Sequence, residues 1–100
     1  MIHHVVMWTL KETAEGKSKA ENALLIKEKL ENLGEIIPQI ESIHVGINIE
    51  NKYSNFDLVL DSYFNSMEDL MAYQVHPKHN EVADFIGKVR EERSCVDYEI

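Results

Sequence analysis

The sequence predicts an α+β fold of order βαββαβ, one antiparallel sheet with both helices on the same face. Three observations carry this. Segments 2–10 and 56–64 are β-branched and apolar on both faces, as central strands are. Segments 43–49 and 95–100 alternate apolar with polar residues, as half-buried strands do. Between them lie two stretches of helical periodicity, the second interrupted by a proline. Two interlocked βαβ units of this kind make the ferredoxin-like pattern. Right-handed crossovers place both helices on one side of the sheet, with the first and third strands central.

Each element has its own local reason. Ile2-His3-His4-Val5-Val6-Met7-Trp8-Thr9-Leu10 is the first strand. Ser18 and Glu21 form a capping box, the serine accepting from the backbone and the glutamate reaching back. Behind it Ala23, Ile26, Leu30, Leu33 and Ile37 recur at helical spacing, with Lys27, Glu28 and Glu31 on the wet side. Gly34 offers a helix stop, and Pro38 prevents continuation. Ile43, Val45, Ile47 and Ile49 share one face of the second strand; His44, Gly46 and Asn48 share the other. A polar loop follows over 50–55, and the third strand carries the core Leu58-Val59-Leu60. Ser66 starts a short helix bearing Leu70 and Tyr73, with Asp69 as a shorter box partner. Pro77 disfavours helical backbone just before it and suits the first turn of a new helix, so this helix stops near Val75. Val82, Phe85, Ile86 and Val89 form the next apolar stripe. No repeat, low-complexity tract or linker divides the chain, so residues 1–100 are expected to form one domain.

Composition removes several function classes. The chain is 44% apolar, which excludes disorder, and its net charge is −8. Such acidity argues against nucleic acid, which requires a basic stripe, and against an anionic membrane surface. The apolar runs are far short of a membrane span. Cys95 is the only cysteine, and the N-terminus enters an apolar strand without a basic region or cleavage site. Both features predict a cytoplasmic protein.

The helices leave one sheet face bare. If Val6, Trp8, Leu58 and Leu60 face them, then Val5, Met7 and Val59 point the other way. A monomer rarely exposes such a patch, so the sequence predicts a homodimer packed sheet to sheet about a two-fold axis.

The order and spacing of several segments resemble the Dabb family, the stress-responsive dimeric α/β-barrel proteins. The resemblance covers essentially the whole chain. Its carriers are the opening strand, Ile37-Pro38 with Gly46 beyond it, Phe56-Asp57-Leu58-Val59-Leu60, Phe64-Asn65-Ser66 and Val96-Asp97-Tyr98-Glu99. Most specific is Ala72-Tyr73-Gln74-Val75-His76-Pro77-Lys78-His79. The resemblance implies a ferredoxin-like protomer and a barrel-forming homodimer. One plant branch contains a polyketide cyclase that closes a ring by aldol condensation, with no cofactor taking part. Its tyrosine and histidine match Tyr73 and His79, and a first-strand histidine matches His4. Its third-strand pocket histidine falls at Leu58, so this chain lacks that polar group. Some plant members also hold magnesium through carbonyl oxygens after the first helix. The corresponding positions near Gly34, Ile37 and Ile40 carry no ligand side chains, and no metal or cofactor is expected.

Tyr73 and His79 are the leading candidates for chemistry. A histidine accepts a proton near neutrality, and a tyrosine donates to a developing enolate oxygen. Their plain structural reading is a histidine that secures the joint and a tyrosine that fills core. His76 and His79 are three apart, but Pro77 separates them and no third ligand follows at metal spacing. His76 is read as a helix cap or a solvent-facing group. His3 and His4 point to opposite sheet faces, His4 with Val6 and Trp8 towards the helices. Asp57 and Asp61 lie roughly 13 Å apart along one strand, too far for a hydrolytic pair. Cys95 has only Arg93 as a basic neighbour and reads as an unreactive thiol.

The expectation is therefore a homodimer binding a small apolar molecule between sheet and helices. Val6, Trp8, Leu58 and Tyr73 form the wall, with His4 and His79 as polar contacts. One rival is a cyclase, isomerase or lyase acting beside a carbonyl, with His79 as base and Tyr73 as hydrogen-bond donor. Another is a structural stress protein that works by assembling beyond a dimer.

Overall fold

A computed structural model describes residues 1–50 and 52–100. Of the loop expected over 50–55, Asn51 lies outside the described residues. The main sheet comprises β1 (Ile2–Leu10), β4 (Ile40–Ile47), β5 (Leu58–Phe64) and β6 (Arg90–Glu99). Its order is β4-β5-β1-β6, with antiparallel neighbours throughout. The two strands that are apolar on both faces are central, as their composition predicts. A small hairpin, β2 (Thr13–Ala14) and β3 (Lys17–Ser18), precedes α1 (Lys19–Ile36). The sequence reading lacks this hairpin; its turn places Glu15 and Gly16 at φ 52° and 75°, the left-handed pair that twists two strands together.

α1 starts at the expected capping box, with both Ser18–Glu21 hydrogen bonds made. It does not stop at Gly34 but runs to Ile36, where the turn at Pro38 ends it. Gly34 serves packing instead. A Cβ there would stand 2.9 Å from Ile43 Cγ2, so glycine lets the helix approach β4. Lys27 and Glu31, expected on the wet side, reach over β4. Lys27 Nζ donates to the Val45 carbonyl at 2.6 Å, and Val45 N donates to Glu31 Oε2 at 3.0 Å. Two unpaired backbone groups of an edge strand are thereby satisfied.

β4 begins and ends earlier than the alternation over 43–49 suggests. A register shift near Glu41 restores parity, so Ile40 faces the core. At the other end β5 begins only at Leu58, so Ile47 is the last paired residue and Ile49 is exposed. β6 conversely begins at Arg90, five residues before the expected strand, because its antiparallel register with β1 extends to Leu10.

The broken helix is α2 (Met67–Gln74) and α3 (Pro77–Val89). Ser66 caps the first, and Pro77 occupies the first turn of the second. His76 caps α3, its side chain accepting from Lys78 N at 3.1 Å. On the helix side Val6, Trp8, Leu58 and Leu60 are buried with Ile26, Leu30, Leu33, Phe64 and Ile86 in one core. On the other side Met7 is 37% exposed, Val96 55% and Tyr98 48%. Val5 and Val59 lie half-buried on that same open face.

Candidate functional site

The proline joint builds the centre of the site. Tyr73 lies in the last turn of α2 and His79 in the first turn of α3. The kink between them brings the two rings to 4.5 Å, centroid to centroid. Phe64 packs 5.1 Å from Tyr73, and His4 of β1 stands 6.2 Å from it. These groups border a cavity of about 200 Å³. Its sheet wall is His4, Val6 and Trp8 of β1 with Leu60 of β5. Leu30 of α1 and Ala83 and Ile86 of α3 form its helical wall, and Arg90 and Arg93 of β6 complete it.

Two polar atoms in this wall are buried without a partner among the described residues, the Tyr73 hydroxyl and His79 Nδ1. Buried polar groups are normally bonded, and the exceptions concentrate where a ligand or strain accounts for them. Burial holds the Tyr73 phenol well above its usual range, with Arg93 opposing slightly. The hydroxyl therefore keeps its proton and remains a donor. Burial also lowers the His79 pKa. Polar contacts with Asn80 and the Gln74 backbone oppose this without reversing it. His79 is thus neutral near pH 7 and able to accept a proton.

His4 is held differently. Its Nδ1 contacts Asp97 Oδ1 on the neighbouring strand, directly opposite in register. An ionised carboxylate only accepts, so Nδ1 is the donor in this pair. Cys95 Sγ lies 3.9 Å from both partners. Burial, then Asp97, pushes its thiol pKa up, so it stays protonated. His4, Cys95 and Asp97 offer ligand atoms within 4.8 Å of one another. The donor types suit zinc, yet His4 and Asp97 already satisfy each other, and the group reads as one that positions the His4 ring. Near Gly34, Ile37 and Ile40 the side chains supply no oxygen, so backbone carbonyls alone would have to hold magnesium there, and the Ile37 carbonyl also accepts from Ile40 N at 3.2 Å.

The structure brings His4, Val6, Trp8, Tyr73 and His79 to one cavity and leaves Leu58 out of it. Leu58 pairs with Trp8, and Leu60, paired with Val6, takes the place in the wall. Two residues along a strand are about 7 Å, enough to leave the cavity. Sequence reasoning missed Leu30, Leu60, Ala83, Ile86, Arg90 and Arg93. The period-2 set Arg93, Cys95 and Asp97 was legible, but only with the last strand begun before Cys95. Asp57 and Asp61 have separate duties. Asp57 Oδ2 accepts from Leu10 N at 2.7 Å and lies 3.5 Å from Lys19 Nζ. Asp61 bonds His3 on the open face.

A family profile for the stress responsive A/B barrel domain matches residues 2–100. The chain belongs to the Dabb family. A stress-response A/B barrel domain-containing protein of Arabidopsis thaliana is 31% identical over 99 residues, covering 98% of this chain and 46% of that protein. The Dabb chain thus spans less than half the length of that relative. Among solved structures, a dimeric ferredoxin-like protein of unknown function from Bacteroides fragilis aligns with a TM-score of 0.82 at 30% identity, covering 99% of this chain and 95% of that one. A hydroxynitrile lyase from Passiflora edulis shares the fold, with a TM-score of 0.83 at 19% identity over 99% and 92% of the two chains. Among the described residues no helix of the Dabb chain is long and apolar enough to cross a membrane.

The lowered His79 pKa gives the Dabb fold a pH dependence of definite sign. Between that pKa and the ordinary 6.5, the unfolded chain binds more protons at this position than the folded one. Stability therefore rises with pH through that window and is lost as pH falls below 6.5. Thermal melts of wild type and His79→Gln should diverge in this sense, the wild type losing more on acidification. Parallel curves would mean that His79 is not held neutral by burial.

Proposed function

We propose that this Dabb chain forms a homodimer through its open sheet faces, and that each protomer binds a small, largely apolar molecule between sheet and helices. The observation that carries the binding reading is the cavity floor, where the Tyr73 hydroxyl and His79 Nδ1 lack partners among the described residues, beside Val6, Trp8 and Leu60. A mostly apolar wall with a few placed polar groups is the usual character of a ligand site. Size narrows the ligand. Drug-sized pockets run to about 300–1,000 Å³, while an engineered cavity of about 150 Å³ accepts benzene. At about 200 Å³ this one suits a single ring or a short chain. Support for the dimer comes from Val5, Met7, Val59, Val96 and Tyr98 on one face. Solved relatives described as dimeric add to it.

A second reading is proton transfer beside a carbonyl, in a lyase, isomerase or cyclase reaction. The closeness of the Tyr73 and His79 rings favours it. A neutral His79 would take the proton while the Tyr73 hydroxyl donates to the developing oxyanion, each step within the ordinary reach of general acid–base catalysis.

Two-dimensional amide NMR with a panel of one-ring and short-chain fragments tests the binding reading. The Trp8 indole and the amides of Ala83 and Ile86 should shift together. Shifts confined to Val5, Met7 and Val59 would move the ligand to the open face, and no response at all would end the reading.

A further inference from the structure

We infer that the ligand of this cavity is a carboxylate, a small acid with an apolar body whose charged end meets Arg90 and Arg93. The inference rests on the cavity being a binding site and goes on to name the ligand's chemistry. The chain has 18 acidic and 10 cationic residues, yet the charged side chains in this cavity wall are two arginines with no carboxylate among them. The pairing of β1 with β6 brings them there, setting Arg93 opposite Trp8 and Arg90 opposite Leu10. Neither arginine makes an ion pair among the described residues, so both guanidinium groups are open to an anion in the cavity. Arg93 meets the neutral thiol of Cys95, and Asp97 is engaged by His4.

The other polar atoms of the wall ask for the same ligand. The Tyr73 hydroxyl retains its proton and has no acceptor among the described residues, so it can donate to an anionic oxygen. A guanidinium fork matches a planar carboxylate in two parallel hydrogen bonds. Val6, Trp8 and Ile86 then require the remainder of the ligand to be apolar. The chain's overall negative charge does not oppose this, because charges beyond about 8 Å are largely screened at physiological ionic strength. The two contacting arginines decide the local sign.

Trp8 is the sole tryptophan and lines the cavity, so its fluorescence reports occupancy. The full chain is titrated with sodium hexanoate and with hexanamide, its neutral analogue, at constant ionic strength. Hexanoate should bind at least about tenfold more tightly, the scale of one charge-assisted hydrogen bond. In Arg93→Gln that preference should fall, and in the Arg90→Gln/Arg93→Gln double variant it should vanish while hexanamide binding persists. These side chains lie at the rim, and circular dichroism verifies that the variants remain folded. Equal binding of acid and amide, or a preference that survives the double variant, would overturn the carboxylate assignment and leave the cavity reading intact. Failure of both compounds to reach Trp8 would overturn both.

Discussion

Met7→Asp should convert the proposed homodimer into a folded monomer. Met7 lies on central β1, on the sheet face that the helices do not cover, and is already 37% exposed in the protomer. An aspartate there remains hydrated while the chain is single. In a sheet-to-sheet dimer it is buried without a partner, and two-fold symmetry repeats the cost in the other copy. Burying one unpaired charge costs several kcal/mol, so the dissociation constant should rise by at least about 1,000-fold. Val96→Glu tests the same face from edge strand β6, where Val96 is 55% exposed and sits opposite Val5. Sedimentation equilibrium should find both variants monomeric at concentrations where wild type is dimeric, with unchanged circular dichroism. A dimer that survives both substitutions would place the interface elsewhere.

The His3 cluster on that face does not weaken the argument, because His3, Tyr98 and Asp61 pair with one another within the protomer. The His3 ring stacks on Tyr63 at 4.1 Å, its Nδ1 lies 2.6 Å from the Tyr98 hydroxyl, and its Nε2 meets Asp61. A cluster that brings its own partners can be covered by a second copy without leaving an unpaired donor.

Tyr73→Phe should make the protein more stable and a poorer binder. The hydroxyl is fully buried and has no partner among the described residues, a state that costs roughly 1–3 kcal/mol. Its removal leaves the ring packed against Phe64 and His79 and should recover about 1 kcal/mol, or roughly 4–8 °C in the melting temperature of a domain this size. Affinity for the small acid should fall by about tenfold with the lost donor. Opposite movement of stability and binding is the signature of a group placed for a ligand. A Tyr73→Phe protein that is less stable, with binding unchanged, would make the hydroxyl structural. Tyr73→Ala separates the ring from the hydroxyl: it should cost about 3–5 kcal/mol, a large part of a small domain's total stability.

Much of the fold was legible because periodicity is local. Residues 2–10 and 56–64 carry apolar side chains on both faces, and only a central strand uses both. The Ser18 and Glu21 pair and Pro77 each act within a few residues, so their effects on backbone follow from sequence alone. Gly34 misled for the same reason: as a local signal it reads as a stop, whereas its use is set by Ile43 on another element. The start of β6 at Arg90 is not visible in the sequence, because its first residues are polar and are extended only by pairing with β1.

The sequence by itself determined the order of elements, the central strands, the bare sheet face and the joint that unites Tyr73 with His79. Alternation says which face a side chain takes, but not which residue of a distant strand lies beside it. Only the tertiary structure decided that Asp97 meets His4, that Leu60 rather than Leu58 lines the cavity, and that Arg90 and Arg93 enter it. Those pairings depend on register between segments up to 93 positions apart, and register is fixed when the whole core packs at once.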